Sequence, residues 1–146
     1  MAKRALLVID VQDYFETAGC VIDETLREIT LAKKRGAAIV VVEYAGCGFS
    51  NSKIVKAVEN YPNKIFVTKH NDGGGAEIHA ECVKNGIPHN KLRVVGVNRS
   101  YCVHSTLHQL KKQYGVNDIQ VSEKGTWCDD PETGLSLLRD LGCELV

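Results

Sequence analysis

No stretch of this chain is apolar for long enough to cross a bilayer. The longest uninterrupted apolar run, Ala37 to Val42, spans six residues, against the ~20 that a membrane helix needs. Nor is either charge in excess. Lysine plus arginine and aspartate plus glutamate stand at 18 each, so no net field draws the chain to nucleic acid or anionic lipid. The opening Met-Ala-Lys-Arg runs into a strand-like segment without a cleavage site, and no signal peptide is expected. A cytoplasmic protein is expected, with neither membrane nor nucleic acid among its partners. Cysteines stand at 20, 47, 82, 102, 128 and 143, and no two have Cys-x-x-Cys spacing. That spacing removes zinc-ribbon and redox-dithiol readings and leaves free thiols in a reducing compartment.

Several ligand motifs are also missing. Asp72-Gly-Gly-Gly75 is not followed by Gly-Lys-Ser/Thr, so it is no P-loop, and no Gly-x-Gly-x-x-Gly follows the first strand-like segment. The glycine run reads as a mobile rim or as a flexible turn before a helix. His104 and His108 have i, i+4 spacing but lack the glutamate of His-Glu-x-x-His, and they share a polar helix side with Lys111 and Lys112. They read as solvated. His70, His79 and His89 form no ligand spacing. Neither a metal nor a cofactor is expected.

What is present is an alternation. At 146 residues, with 44% apolar and 25% charged, the chain fits one domain, 1–146, with one core. Short β-branched runs at 4–10, 37–43, 64–69, 91–97, 116–122 and 143–146 read as strands. Between them lie helices opening at Asp23 and closing at Gly36, then at 51–60, 75–85 and 101–114, and from Asp130-Pro131 to Gly142. Six strands alternating with five helices imply an α/β fold, a three-layer α/β/α, Rossmann-like, doubly wound parallel sheet. Ligands of such sheets bind beyond the carboxyl ends of the strands.

That rule selects Asp10 and Gln12, Glu43 and Tyr44, Lys69 and His70, Asn98 to Cys102, and Glu123 to Trp127. The set contains a thiol, a carboxylate and an amine, as acyl transfer through a thioester requires. Ser100 reads as an N-cap, which places Cys102 in the first turn of a helix. Backbone N–H groups and the helix dipole would favour a thiolate there. The plainer reading is a cysteine packed inertly under the sheet. For Asp10 the plain role is a turn cap, and for Lys69 a solvated surface lysine. Arg99 could bind a substrate carboxylate, but reads better as a surface residue at a helix start. Tyr14, Phe15, Tyr44, Tyr101 and Trp127 lie near strand ends and could line an apolar substrate pocket, or simply pack in the core and rim.

Ala5-Leu-Leu-Val-Ile-Asp-Val-Gln-Asp-Tyr-Phe15 resembles the opening motif of isochorismatase-like cysteine hydrolases. Val94-Val-Gly-Val-Asn-Arg-Ser-Tyr-Cys-Val103 is similar to their segment running into the nucleophilic cysteine, and Phe66-Val-Thr-Lys69 to the one carrying their lysine. The resemblance implies a six-stranded sheet ordered 3-2-1-4-5-6. It implies Cys102 as nucleophile, Asp10 as general base and Lys69 beside them, although Lys69 must reach across strand two. It further implies a cis Val97-Asn98 peptide, an oxyanion hole from the N–H groups of Asn98 and Cys102, and a homo-oligomer. The reaction implied is hydrolysis of a small-molecule amide or related C–N substrate. Metal-dependent nicotinamidases of that family carry Asp-x-His after strand two. Here the segment reads Val42-Glu-Tyr-Ala-Gly-Cys-Gly48.

Overall fold

Residues 3–127 and 129–146 are described by a computed structural model of the chain. Cys128, one of the cysteines read as a free thiol, lies outside them, as do the first two residues of the amino-terminal segment.

The strands are β1 (Ala5–Ile9), β2 (Ile39–Tyr44), β3 (Lys64–Lys69), β4 (Lys91–Val97), β5 (Asp118–Trp127) and β6 (Glu144–Leu145). All neighbouring pairs are parallel, in the order β3-β2-β1-β4-β5-β6. The helices are α1 (Ile22–Arg35), α2 (Ser52–Val58), α3 (Gly75–Lys84), α4 (His104–Tyr114) and α5 (Pro131–Asp140). Among the described residues no helix is long and apolar enough to cross a membrane.

Alternate side chains of each central strand enter opposite layers. Leu7, Ile9, Val40, Val42 and Val94 pack with Ile78 of α3, Leu107 and Leu110 of α4 and Leu138 of α5. Leu6, Val8, Ile39, Val41 and Val95 pack with Ile29 and Ala32 of α1 and Ile54 of α2. Burial on both faces is why these strands read as unbroken apolar runs. The chain order reverses between β1 and β4, so the crevice for a ligand opens there.

The β1–β4 seam is tight. Gly96 sits opposite Ile9 with φ 136°, and a Cβ there would run into the Ile9 carbonyl oxygen. Only glycine fits that approach.

Three expectations change. Strand five is longer than the apolar run 116–122, because its register jumps from Val94↔Val121 to Gly96↔Thr126, a bulge that lets polar residues 123–126 continue the strand. A 3-10 turn, Glu16–Cys20, was not legible in the sequence. The helix expected from residue 101 starts as a wide turn, Arg99–Val103, in which the Val103 N–H donates to Asn98 O at 3.1 Å, five residues back, before α4 begins at His104. Asn98, not Ser100, therefore occupies the N-cap position.

Candidate active site

Asp10 leaves the end of β1 with φ 56°, the one described non-glycine residue in the left-handed region. Aspartate enters that region more readily than most residues. Its amide N–H donates to Val42 O at 3.0 Å, and its carboxylate turns into the β1/β4 crevice. Lys69, the last residue of β3, reaches over the top of β2. Its Nζ lies 3.0 Å from Asp10 Oδ2, and both side chains are closed to solvent. A lone buried charge of either sign would be costly, so each residue accounts for the other's burial. Lys69 is thus not the solvated lysine of its plain reading.

The ammonium is held from three further sides. It donates to Asn71 O at 2.9 Å and Asp72 O at 3.0 Å, and it sits 3.8 Å from the centre of the Tyr44 ring, a cation–π contact. The segment supplying those carbonyls is tied down. Gly74 N–H donates to Thr106 Oγ1 at 3.0 Å and Gly75 N–H to Gln109 Oε1 at 2.8 Å, both on α4. A side chain on Gly74 would strike the Lys69 stem. Residues 71–75 are therefore neither a mobile rim nor a free turn, but a bracket for the lysine. Sequence reasoning missed Thr106 and Gln109, because polar residues on a helix carry no signal of what they face.

Cys102 follows the cis Val97–Asn98 peptide and is 6% exposed. Its thiol is within hydrogen-bonding reach of both Asp10 and Lys69. Yet neither Asp10 oxygen has a well-aligned hydrogen-bond donor, so the carboxylate faces the sulfur loosely, as expected before a substrate tightens the group. Burial pushes the Cys102 thiol up to about 12, and the charge and hydrogen bond of Asp10 add to this against the opposing pull of Lys69. Burial also raises the Asp10 carboxyl above its usual 3.8, opposed by Lys69 and by the Cys102 hydrogen bond. The thiolate expected from a helix start is thus replaced by a protonated thiol beside a carboxylate that can take its proton.

This ordering has a measurable consequence. Alkylation of Cys102 by iodoacetamide, followed by peptide mass spectrometry, is expected to keep accelerating beyond pH 9 without a plateau. Asp10→Asn removes the charge that raises the thiol and should shift this curve to lower pH. A plateau near pH 7 in the wild type would contradict the raised thiol.

Other expected residues are placed as follows. Gln12 is buried and clamps the β2 exit: its Nε2 donates to Tyr44 O at 3.1 Å and Gly48 O at 2.7 Å, while Tyr44 N–H donates to its Oε1 at 2.8 Å. Phe15 stands 6.4 Å from the Tyr44 ring. Tyr14, Tyr101 and Trp127 remain outside, at 70%, 64% and 39% exposure. Arg99 is not a surface residue. It is buried, with Nε donating to Thr126 Oγ1 at 3.0 Å and a terminal nitrogen donating to Glu123 O at 2.8 Å and Thr126 O at 2.6 Å. These bonds pin the turn bearing Cys102 to the end of β5. Thr17, in the unforeseen 3-10 turn, hydrogen-bonds the Asn98 side chain.

The β2 exit does not fit a catalytic metal. Residues 43–48 contain no imidazole, and the Glu43 carboxylate already accepts from Ser50 N–H at 2.7 Å.

No protein-family model matches the sequence, and no curated protein matches it. Solved structures do. A nicotinamidase from Staphylococcus aureus superposes with TM-score 0.82 at 20% identity, covering 100% of both chains. A ribonuclease, MAR1, from Caenorhabditis elegans superposes with TM-score 0.83 at 19% identity, over 99% of this chain and 76% of that one. An isochorismatase-like hydrolase from Alkaliphilus metalliredigens superposes with TM-score 0.75 at 18% identity, over 99% of this chain and 94% of that one. The fold is therefore the isochorismatase-like fold.

Proposed function

We propose that this chain is a cysteine hydrolase that opens the C–N bond of a small amide or related molecule through a thioester on Cys102. We place it in the cytoplasm as a homo-oligomer that needs no cofactor. The observation carrying this reading is the solvent-free Asp10–Lys69 pair, 3.0 Å apart, facing a thiol in the crevice of the sheet. A buried acid, a buried amine and a sulfur drawn from three strand ends have no shared packing rationale. They have an immediate chemical one.

In this mechanism the Asp10 carboxylate removes the Cys102 proton as sulfur attacks the carbonyl carbon. The resulting oxyanion is received by the backbone N–H groups of Asn98 and Cys102. Asp10 returns the proton to the departing nitrogen, the C–N bond breaks and the amine leaves. Water then attacks the thioester, giving its proton to Asp10; the C–S bond breaks, Asp10 passes that proton to the departing Cys102 sulfur, and the carboxylic acid is released. Lys69 keeps Asp10 ionised between steps and orients it. The half-buried Phe15 and Tyr44 would form the apolar wall against the substrate.

The name of the nicotinamidase neighbour supports a C–N substrate. That of the ribonuclease neighbour is a reminder that one fold hosts different chemistries. A thiol redox sensor fits less well, since such thiols are exposed and readily ionised, whereas Cys102 is buried with its thiol pushed up to about 12.

An ammonia-release screen over small primary amides, ureas and carbamoyl compounds tests the reading. Release by the wild type and none by Cys102→Ala is expected. Equal release by both proteins, or none from any compound, would defeat it.

A further inference from the structure

At the end of the sheet opposite Cys102, two histidines that form no motif in the sequence converge. His79 lies on α3 and His89 in the segment leading into β4. His79 Nδ1 and His89 Nε2 are 2.9 Å apart, beside a cavity of ≈ 400 Å³ lined by both rings, Cys82, Ile87 and Tyr114. We infer that His79 and His89 form a binding site for a divalent transition-metal ion, which clips α3 to the segment before β4.

The orientation of the rings carries the inference. His89 Nδ1 is 3.1 Å from the carbonyl oxygen of Ile87. A carbonyl can only accept, so Nδ1 holds the proton and, in the neutral ring, Nε2 presents a lone pair. A backbone carbonyl on the far nitrogen is the usual way a metal-binding imidazole is fixed. The His79 ring is fixed differently, stacked on Tyr114 with centroids 4.3 Å apart and planes 20° from parallel. Without metal, His79 Nδ1–H donates to His89 Nε2. Moving that proton to His79 Nε2, a change of tautomer only, turns Nδ1 into a second lone pair facing the His89 nitrogen.

The spacing suits an ion. Two imidazole nitrogens bound at ~2.0–2.1 Å lie about 2.9 Å apart at a right angle and about 3.3 Å apart at the tetrahedral angle. The observed 2.9 Å therefore asks for little displacement of the two nitrogens, while each ring must turn for both lone pairs to meet at the ion. Among the described residues no cluster of three or more candidate ligands exists, so water would complete the coordination. A two-imidazole, water-completed set selects ions such as Ni(II), Cu(II) or Zn(II) over magnesium or calcium.

Ni(II) is the probe, because it does not oxidise the free thiols. Calorimetric titration of the whole protein should show one equivalent bound, with a rise in Tm as binding stabilises the folded state. His89→Gln and His79→Gln should each weaken binding by at least about tenfold, while His104→Asn with His108→Asn leaves it unchanged. Long-range ¹H–¹⁵N imidazole spectra of the wild type give a readout that does not depend on the variants folding: the His79 and His89 signals should broaden selectively with Ni(II). Broadening at His104 and His108 instead, wild-type binding by both Gln variants, or no stoichiometric binding would each overturn the site. None of these results depends on amide turnover.

Discussion

Cys102→Ser should lower amide turnover by about 10³-fold or more, because an alkoxide is far harder to generate than a thiolate and the whole covalent route rests on this atom. Stability should change by about 1 kcal/mol or less, since the substitution is nearly isosteric. Asp10→Asn should lower turnover by about 10²–10⁴-fold, for a separate reason: the thiol, pushed up to about 12, then has no acceptor for its proton. The pH profile distinguishes the two variants. Asp10 must be ionised to act, and burial raises its carboxyl above 3.8. The acid limb of kcat/KM in the wild type is therefore expected above the ordinary carboxylate value of 3.8. Cys102→Ser retains that limb in whatever activity survives, and Asp10→Asn loses it. Steady-state rates on the best compound from the ammonia screen, between pH 4 and 9, measure both. An Asp10→Asn enzyme within twofold of wild type would remove the general base from the mechanism.

Lys69→Met should destabilise the protein by about 3–5 kcal/mol at pH 8, the range seen when one partner of a buried ion pair is removed. Methionine fills much of the lysine stem's volume, so the loss is chiefly electrostatic. It leaves the Asp10 carboxylate closed to solvent, with the carbonyls of Asn71 and Asp72, which now receive the ammonium, facing nothing. The deficit should shrink toward pH 5. Without the ammonium, the folded-state carboxyl rises further above its unfolded value. A group raised on folding contributes stability that is present below its unfolded value and lost as pH rises through its folded one. Denaturant unfolding of wild type and variant at pH 5 and pH 8 measures the difference. A deficit that is the same at both values would mean that Asp10 does not carry the uncompensated charge.

The parallel order of elements was legible because strands buried on both faces leave continuous apolar runs and helices leave a longer period. Asp10 was legible as a candidate because a polar residue ending an apolar strand calls for an explanation, and Cys102 because it falls at the helix start that follows strand four. Lys69 was harder: whether a lysine is buried depends on partners two strands away, which no local pattern encodes. The bracket at residues 71–75 is hidden in the sequence for the same reason. Three glycines suggest freedom until Thr106 and Gln109, more than thirty positions downstream, take up their amide hydrogens. Arg99 reads as a surface residue in the sequence because the bulge in β5 that brings Thr126 to its side chain leaves no local pattern. The His79–His89 pair leaves no signal in the sequence because ligand motifs are read as spacings, whereas these rings meet only through the return of the chain after α3.

The left-handed backbone at Asp10, φ 56°, bears on how experiments on this site are designed. Asparagine tolerates that conformation, whereas alanine and glutamate do so less readily. An alanine scan would therefore combine two injuries at this position, a lost carboxylate and a main chain pulled away from its native turn. Any deficit in Asp10→Ala would report their sum, and only the amide replacement separates loss of the proton acceptor from displacement of the chain that carries it.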